Sequence, residues 1–193
     1  MKYFELGEKK LSRICLGTMN FGQLGEDKAK EIFEYAYSLG INFFDTANCY
    51  SGSLSEIYLG KFINDLPREK IFITSKVYFN DGKLSYDGII KSVTDSLSRI
   101  NVGYLDLLLL HRFDKDTSPR ETFKALKELK DTGKVKHFGI SSMTKKQAKI
   151  YFKEANNHNL SLEVLQHNYS LMEREENNDL MPLIDKYHLS CTP

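Results

Sequence analysis

Short runs of β-branched, aliphatic and aromatic residues alternate along the chain with longer stretches whose apolar residues recur at helical spacing. The short runs predict strands at residues 14–17, 42–45, 71–76, 106–111, 137–141, 163–166 and 189–192. Leu107, Leu108, Leu109 and Leu110 leave the fourth run without a polar face, as a strand covered on both sides requires. The longer stretches predict amphipathic helices. Residues 27–39 align Ala29, Ile32, Phe33, Ala36 and Tyr37 on one stripe, with Gly40 placed to end the helix in a left-handed turn. In 55–63 the inward residues are Ile57, Tyr58 and Phe62; in 86–100 they are Ile89, Ile90, Val93, Leu97 and Ile100. Ser118-Pro119-Arg120-Glu121 reads as a capping box with proline at the first helical position, opening a helix that ends at Gly133. Further helices are expected at 145–156 and 179–188, and a short hairpin at 2–10.

Strand ends recur roughly every 25 to 35 residues, the length of one strand–helix unit. Such repetition with short links predicts an α/β fold, a parallel sheet with helices outside it. The alternative, an open doubly wound sheet with a dinucleotide fingerprint, is disfavoured: Leu16-Gly17-Thr18-Met19-Asn20-Phe21-Gly22 has the wrong glycine spacing. Polar residues stand at the C-terminal ends of nearly all strands, which is how a (β/α)8 barrel builds its site. A barrel in one domain spanning 1–193 is therefore expected, with about seven of its eight strands. A closed barrel takes about 250 residues, so its last strand and two helices fall outside the sequence, which predicts C-terminal truncation. The first and seventh strands become exposed edges, which predicts self-association.

Composition adds exclusions. The chain has 193 residues, 41% hydrophobic and 27% charged, with a formal net charge of +1. Acids and bases are mixed, so there is no footprint for nucleic acid or an anionic membrane; Lys145-Lys146 reads as a solvated helix start. The N-terminus lacks the apolar core of a signal peptide and no run approaches a membrane span, which predicts a cytoplasmic protein. Cys15, Cys49 and Cys191 are odd in number and scattered, so each is read as a small buried reduced thiol, neither bridged nor metal-bound; Cys49, beside Tyr50, is the least inert. No metal site is expected.

Reading outward from each strand end, Asp45 closes the second strand and Tyr50 follows in the loop, Lys76 closes the third, and His111 the fourth. An acid, a phenol, an amine and an imidazole at matching strand ends suit carbonyl reduction. That reaction needs a proton donor for the developing alkoxide and further donors aimed at its oxygen. An ammonium about 4 Å from a phenol, at an effective dielectric near 20, contributes about 4 kcal/mol to a developing phenolate. A carboxylate beside the ammonium keeps it charged, and the imidazole can hold the carbonyl oxygen. Taken singly, each residue has a plainer reading: Asp45 as a turn cap, Tyr50 as a packing tyrosine, Lys76 as a snorkelling surface lysine, His111 as a satisfied rim histidine. Their joint placement at successive strand ends is what argues for function.

Phe44-Asp45-Thr46-Ala47, Tyr50, Ser55-Glu56 and Leu59-Gly60 together resemble the signature of the aldo-keto reductases. Ile73-Thr74-Ser75-Lys76-Val77 is similar to the family's lysine motif and Tyr104-Leu105-Asp106-Leu107 with Leu110-His111-Arg112 to its histidine motif. Gly139-Ile140-Ser141-Ser142-Met143 and His111-Arg112-Phe113-Asp114 look most like the aryl-alcohol dehydrogenase branch. The resemblance implies NADPH-dependent reduction of aldehydes and ketones, NADH not being excluded, with a small carbonyl compound as substrate. It implies that Tyr50 donates the proton, that Lys76 and Asp45 tune it, and that His111 orients the carbonyl. It further implies cofactor contacts from Ser141, Ser142 and Gln166 to the nicotinamide carboxamide, and from Thr18, Met19 and Asp45 nearby. Many relatives carry Asn at position 142, and Ser51-Gly52-Ser53-Leu54 replaces a more glycine-rich loop that shapes the substrate mouth. Asn168 and Tyr169 read as structural. In the family, the aromatic that stacks on the nicotinamide and the phosphate-gripping segment lie beyond residue 193, so weak cofactor binding is expected. Two other readings stay open: a catalytically impaired remnant or regulatory subunit acting through the open edge, and, less well supported, an aldolase with Lys76 as Schiff base.

Overall fold

Every predicted strand and helix forms in the computed structural model, with ends within two residues of expectation. The structure describes the backbone of residues 1–174 and 177–193, and the side chains of 1–174 and 180–193. The N-terminal hairpin is β1 (Tyr3–Leu6) and β2 (Lys9–Ser12), running two residues further than predicted. Strand and helix then alternate: β3 (Leu16–Gly17), α1 (Phe21–Leu24), α2 (Glu26–Ser38), β4 (Phe43–Asp45), α3 (Leu54–Ile63), β5 (Phe72–Val77) and α4 (Tyr86–Ile100). The second half follows with β6 (Leu105–Leu110), α5 (Pro119–Asp131), β7 (Val135–Ser141), α6 (Lys145–Asn157), β8 (Val164–Gln166), α7 (Asn177–Tyr187) and β9 (Ser190–Thr192).

The residues group into two compact units, Met1–Lys76 with Ser92–Leu107, and Val77–Lys91 with Leu108–Pro193. In the first, β3, β4 and β5 pair in parallel, with Gly17 opposite Asp45 and Asp45 opposite Thr74. Its core gathers Phe33 with Phe44 (ring centroids 4.9 Å apart) and Phe62 (5.6 Å). Buried Asp106 of β6 accepts the Ile73 N–H at 2.9 Å and pairs with Lys9 and Arg68, each at 2.6 Å, tying the hairpin beneath the strands. In the second unit, β7, β8 and β9 pair in parallel, with Ser141 opposite Gln166 and Gln166 opposite Thr192. Tyr151 packs between Phe113 and Phe123 at 5.0 and 5.5 Å, and Phe152 stacks on Tyr187 at 4.1 Å.

The strand order is β3-β4-β5-β6-β7-β8-β9, the order of the sequence itself. A doubly wound sheet reverses its order at a switch point; none exists here. Seven parallel strands in consecutive order, each followed or preceded by a helix, are an α/β arrangement of the (β/α)8 type with seven strands present.

Four expectations need correction. On α3, Ile57, Tyr58 and Phe62 are only half-buried, and the buried face is Ser55, Glu56, Leu59, Gly60 and Ile63. A hydrophobicity pattern cannot reveal that face, because two of its residues are polar. On α2 and α4, Ile32, Tyr37, Ile90 and Leu97 flank the buried stripes rather than fill them. At α5, Ser118 caps as expected by accepting the Glu121 N–H, but the Glu121 carboxylate accepts the Tyr86 N–H at the start of α4. The reciprocal capping box belongs to α6, between Thr144 and Gln147. Finally, all three cysteines are free, as expected, but only Cys15 and Cys49 are partly covered; Cys191 is exposed on β9. Burial pushes the Cys15 thiol well up and the Cys49 thiol up, which leaves both less reactive.

Candidate active site

Strand β4 is buried along its whole length and carries Asp45 at its C-terminal end. The chain then turns through residues 46–53, where Ser51, Gly52 and Ser53 all adopt left-handed φ values of 49°, 62° and 74°. Such a run lets the chain reverse into α3 within a few residues and holds Tyr50 at the turn, half-exposed. Strand β5 is likewise buried throughout, and Lys76 is fully enclosed.

A buried ammonium needs partners for three protons. Lys76 finds all three: the Asp45 carboxylate, the Thr46 carbonyl at 3.0 Å and the Tyr50 phenol oxygen at 3.0 Å. Its nitrogen also lies 4.7 Å from the centre of the Tyr50 ring. Burial opposes the charge, but the Asp45 and Tyr50 interactions outweigh it and hold the Lys76 ammonium above the usual lysine value. The group therefore stays charged at neutral pH, in contact with the phenol oxygen. A snorkelling surface lysine is excluded by its enclosure. A Schiff-base role, which needs a neutral amine, is opposed by the same pairing.

A second ring of polar groups surrounds these three. The Ser55 hydroxyl lies 2.6 Å from Thr18 Oγ1 and 2.8 Å from Thr46 Oγ1, all three residues being fully buried. Thr18 also donates from its N–H and its hydroxyl to the Asp45 carbonyl, at 2.9 and 3.0 Å. Buried Glu56 accepts from Ser75 at 2.6 Å and from Arg99 at 2.7 Å. Sequence reading singled out Ser55 and Glu56 only as letters of a motif; their spacing on one helix turn beside Thr46 and Ser75 was the available signal.

The structure thus brings Asp45, Tyr50 and Lys76 together in the first unit. His111 belongs to the second unit, where its N–H donates to the Val77 carbonyl at 3.0 Å and its ring meets Phe79 edge-on at 5.1 Å. Arg112 lies over the same Phe79 ring, 5.5 Å from its centroid. Ser141, Ser142 and Gln166 also belong to the second unit and do cluster. The two serine hydroxyls are 3.3 Å apart, the Ser142 N–H donates to the Gln166 carbonyl at 3.1 Å, and Gln166 Nε2 donates to Thr192 at 3.3 Å. Two hydroxyls and a side-chain amide at adjacent strand ends supply both donors and acceptors, a set that fits a carboxamide. Ser142 sits at φ 50°, where Asn is several-fold enriched over other non-glycine residues, which accounts physically for Asn as an alternative there. Met19 is exposed, and its carbonyl accepts from Ser51 at 3.4 Å. Asn168 and Tyr169 follow β8 outside any strand and line an apolar cleft of about 280 Å3 with Leu165, Leu180 and Ile184. Among the described residues, no group of His, Cys, Asp and Glu is arranged to hold a metal ion, and no helix is long and apolar enough to cross a membrane.

Comparison with known proteins fits this geometry. A protein of Schizosaccharomyces pombe named as an aryl-alcohol dehydrogenase is 31% identical over 95% of this chain and 63% of its own length. An aldo-keto reductase of Alternaria alternata is 33% identical over 93% of this chain and 60% of its own. The holo form of an aldo-keto reductase from Bacillus halodurans superposes with a TM-score of 0.88 at 32% identity, covering all of this chain and 65% of that one. The chain therefore spans about 60% of the length of these curated relatives. The model of the aldo/keto reductase family matches residues 13–193, and the chain belongs to that family.

Proposed function

We propose that the protein is an NADPH-dependent carbonyl reductase, with Tyr50 as proton donor to the alkoxide that forms when an aldehyde or ketone is reduced. The observation that carries this reading is the Lys76 ammonium, enclosed, paired with Asp45 and donating to the Tyr50 oxygen. As the phenol gives up its proton, negative charge develops on an oxygen 3.0 Å from a fixed positive charge. That arrangement stabilises the phenolate at the moment of transfer and needs no solvent rearrangement. Asp45 keeps the ammonium charged and aimed; the Thr46 carbonyl takes its remaining proton.

By the family resemblance, His111 holds and orients the substrate carbonyl. A reduced nicotinamide, when bound, supplies the hydride. Ser141, Ser142 and Gln166 are the residues proposed to hold its carboxamide, with the Thr18 and Met19 backbone and Asp45 nearby. A test follows NADPH fluorescence and oxidation with a simple aromatic aldehyde. Turnover that falls about 10²-fold or more in Tyr50→Phe supports the reading; equal turnover in the two proteins would overturn it.

A second reading, a non-enzymatic scaffold acting by self-association, is favoured by one observation. Leu171 and Met172 are almost wholly exposed at 88% and 94%. Exposed apolar groups favour association. Light scattering that gives a monomer at all concentrations would remove this reading.

A further inference from the structure

Residues Asp45 and Lys76 sit on neighbouring strands, and each is adjacent in sequence to a residue held by the first turn of α3. Thr46, which follows Asp45, has its hydroxyl 2.8 Å from Ser55; Ser75, which precedes Lys76, donates to Glu56 at 2.6 Å. Both anchors are fully buried, as are Thr46 and Ser75. Polar side chains in such positions are costly unless their hydrogen bonds are met. Here they are met by groups that flank the reacting centre on both sides.

We propose that Ser55 and Glu56 form a positioning clamp that sets where the Lys76 ammonium stands relative to its three acceptors. One end of the clamp controls an acceptor: Thr46, whose carbonyl takes one Lys76 proton, is held through its hydroxyl. The other end controls the donor: Ser75 fixes the β5 backbone one residue before Lys76. Three hydroxyls connect the two ends of this segment. Ser55 Oγ lies within hydrogen-bond distance of both the Thr46 and the Thr18 hydroxyls and donates to the Thr18 carbonyl at 3.0 Å, while the Thr18 hydroxyl donates to the Asp45 carbonyl. The chain of hydroxyls thus begins on the residue after Asp45 and ends on the carbonyl of Asp45 itself. Glu56 is fixed in turn by Arg99, so the clamp is anchored on α4 as well.

Alternative explanations of the same groups do less. A helix cap does not account for them, because the N-cap of α3 is Ser53, which makes no side-chain cap hydrogen bond. Simple filling of space does not need polar atoms, and hydrophobic residues of like volume would fill it at lower desolvation cost. The clamp deepens the proposed reaction, resting on that reading only for the use to which Lys76 is put. Ser55 and Glu56 bond to the residues beside Asp45 and Lys76, so they act by positioning.

The test reads Lys76 directly. The 193-residue chain labelled with 15N-lysine is compared by NMR across variants, and the Lys76 ammonium signal is assigned by its disappearance in Lys76→Arg. Proton exchange of that ammonium with water is measured beside the exchange of backbone amides in β4 and β5. Ser55→Ala and Ser75→Ala are each expected to speed ammonium exchange about tenfold while the amides change far less, the mark of local rather than global opening. Thr46→Val is expected to do the same and Thr46→Ser to keep the parental rate. Ammonium exchange within twofold of the parent in folded Ser75→Ala and Thr46→Val, or acceleration that merely matches the amides, would overturn the proposal. No step requires turnover. A protein that fails to oxidise NADPH but shows these shifts keeps the clamp and loses the reductase reading; active protein without them does the reverse.

Discussion

Tyr50 and Asp45 both accept hydrogen bonds from Lys76, but they leave different things behind when removed. Without the Tyr50 hydroxyl, one proton of a still-paired ammonium is unmet. Without the Asp45 charge, an enclosed cation has no counter-ion. Tyr50→Phe should therefore cost about 1–2 kcal/mol of stability and Asp45→Asn about 3–5 kcal/mol. Adding Lys76→Met to Asp45→Asn should return much of that loss, since a buried pair replaced whole is far less costly than one halved. Urea unfolding of the three variants measures all of this, and equal losses for Tyr50→Phe and Asp45→Asn would contradict the account.

Tyr151 predicts the alkaline limit of stability. Burial raises its phenol to about 12, from an ordinary 10.0, against a lowering contribution from the Asp114 N–H that donates to it. The folded value lies above the unfolded one, so the stabilisation is fully present below about pH 10 and is lost as pH rises towards 12. Two units correspond to about 3 kcal/mol at most. Tyr151→Phe should lower stability at neutral pH, because the Asp114 N–H loses its acceptor, and should flatten the decline above pH 10. Urea midpoints on both sides of that pH give the comparison; a parallel decline in variant and parent would count against it.

Gly60 on α3 lies against the end of α4. A β-carbon there would come within 2.6 Å of the Ile100 carbonyl oxygen and 2.8 Å of that of Arg99. Alanine gains about 1 kcal/mol over glycine in helix propensity, but these obstacles are backbone and cannot swing aside. Gly60→Ala should therefore be destabilising on balance, by about 1–3 kcal/mol, and the thermal midpoint should fall. A rise would mean that the two helices are free to separate.

Ser142 carries the opposite expectation. At φ 50° a serine is strained, and asparagine tolerates that backbone better. Ser142→Asn should stabilise by a few tenths to about 1 kcal/mol. If the cofactor contact proposed for this residue is correct, NADPH should also bind at least as tightly. A drop in thermal midpoint would show that the substituted side chain cannot be accommodated.

Most of the architecture was legible because the signals that specify it are local and apolar. The Leu107–Leu110 run, the Ile89–Val93–Ile100 stripe and the Ser118-Pro119 start all reappear in place. The grouping of Asp45, Tyr50 and Lys76 was legible for another reason: strand-end position converts directly into proximity when strands pair in parallel register. What stayed hidden was polar and buried. Hydrophobic spacing assigned Ile57, Tyr58 and Phe62 to the inside of α3, whereas the enclosed face holds Ser55 and Glu56, whose partners lie on other elements. The real destination of the Glu121 carboxylate, the Tyr86 N–H, is 35 residues distant and leaves no trace in local pattern.

Distance along the chain has a further consequence for the surroundings of Lys76. Its three hydrogen bonds join residues 26, 30 and 31 positions apart, and Ser55 reaches Thr18 across 37. None of the three Lys76 hydrogen bonds can form within a single strand–helix unit, so their loop-closure entropy is recovered only when β4 and β5 have paired. A chain caught part-way through folding would expose an ordinary hydrated lysine. The enclosed ammonium is therefore a reporter of the pairing of β4 with β5, and protection of its protons should appear in step with protection of the backbone amides of those two strands.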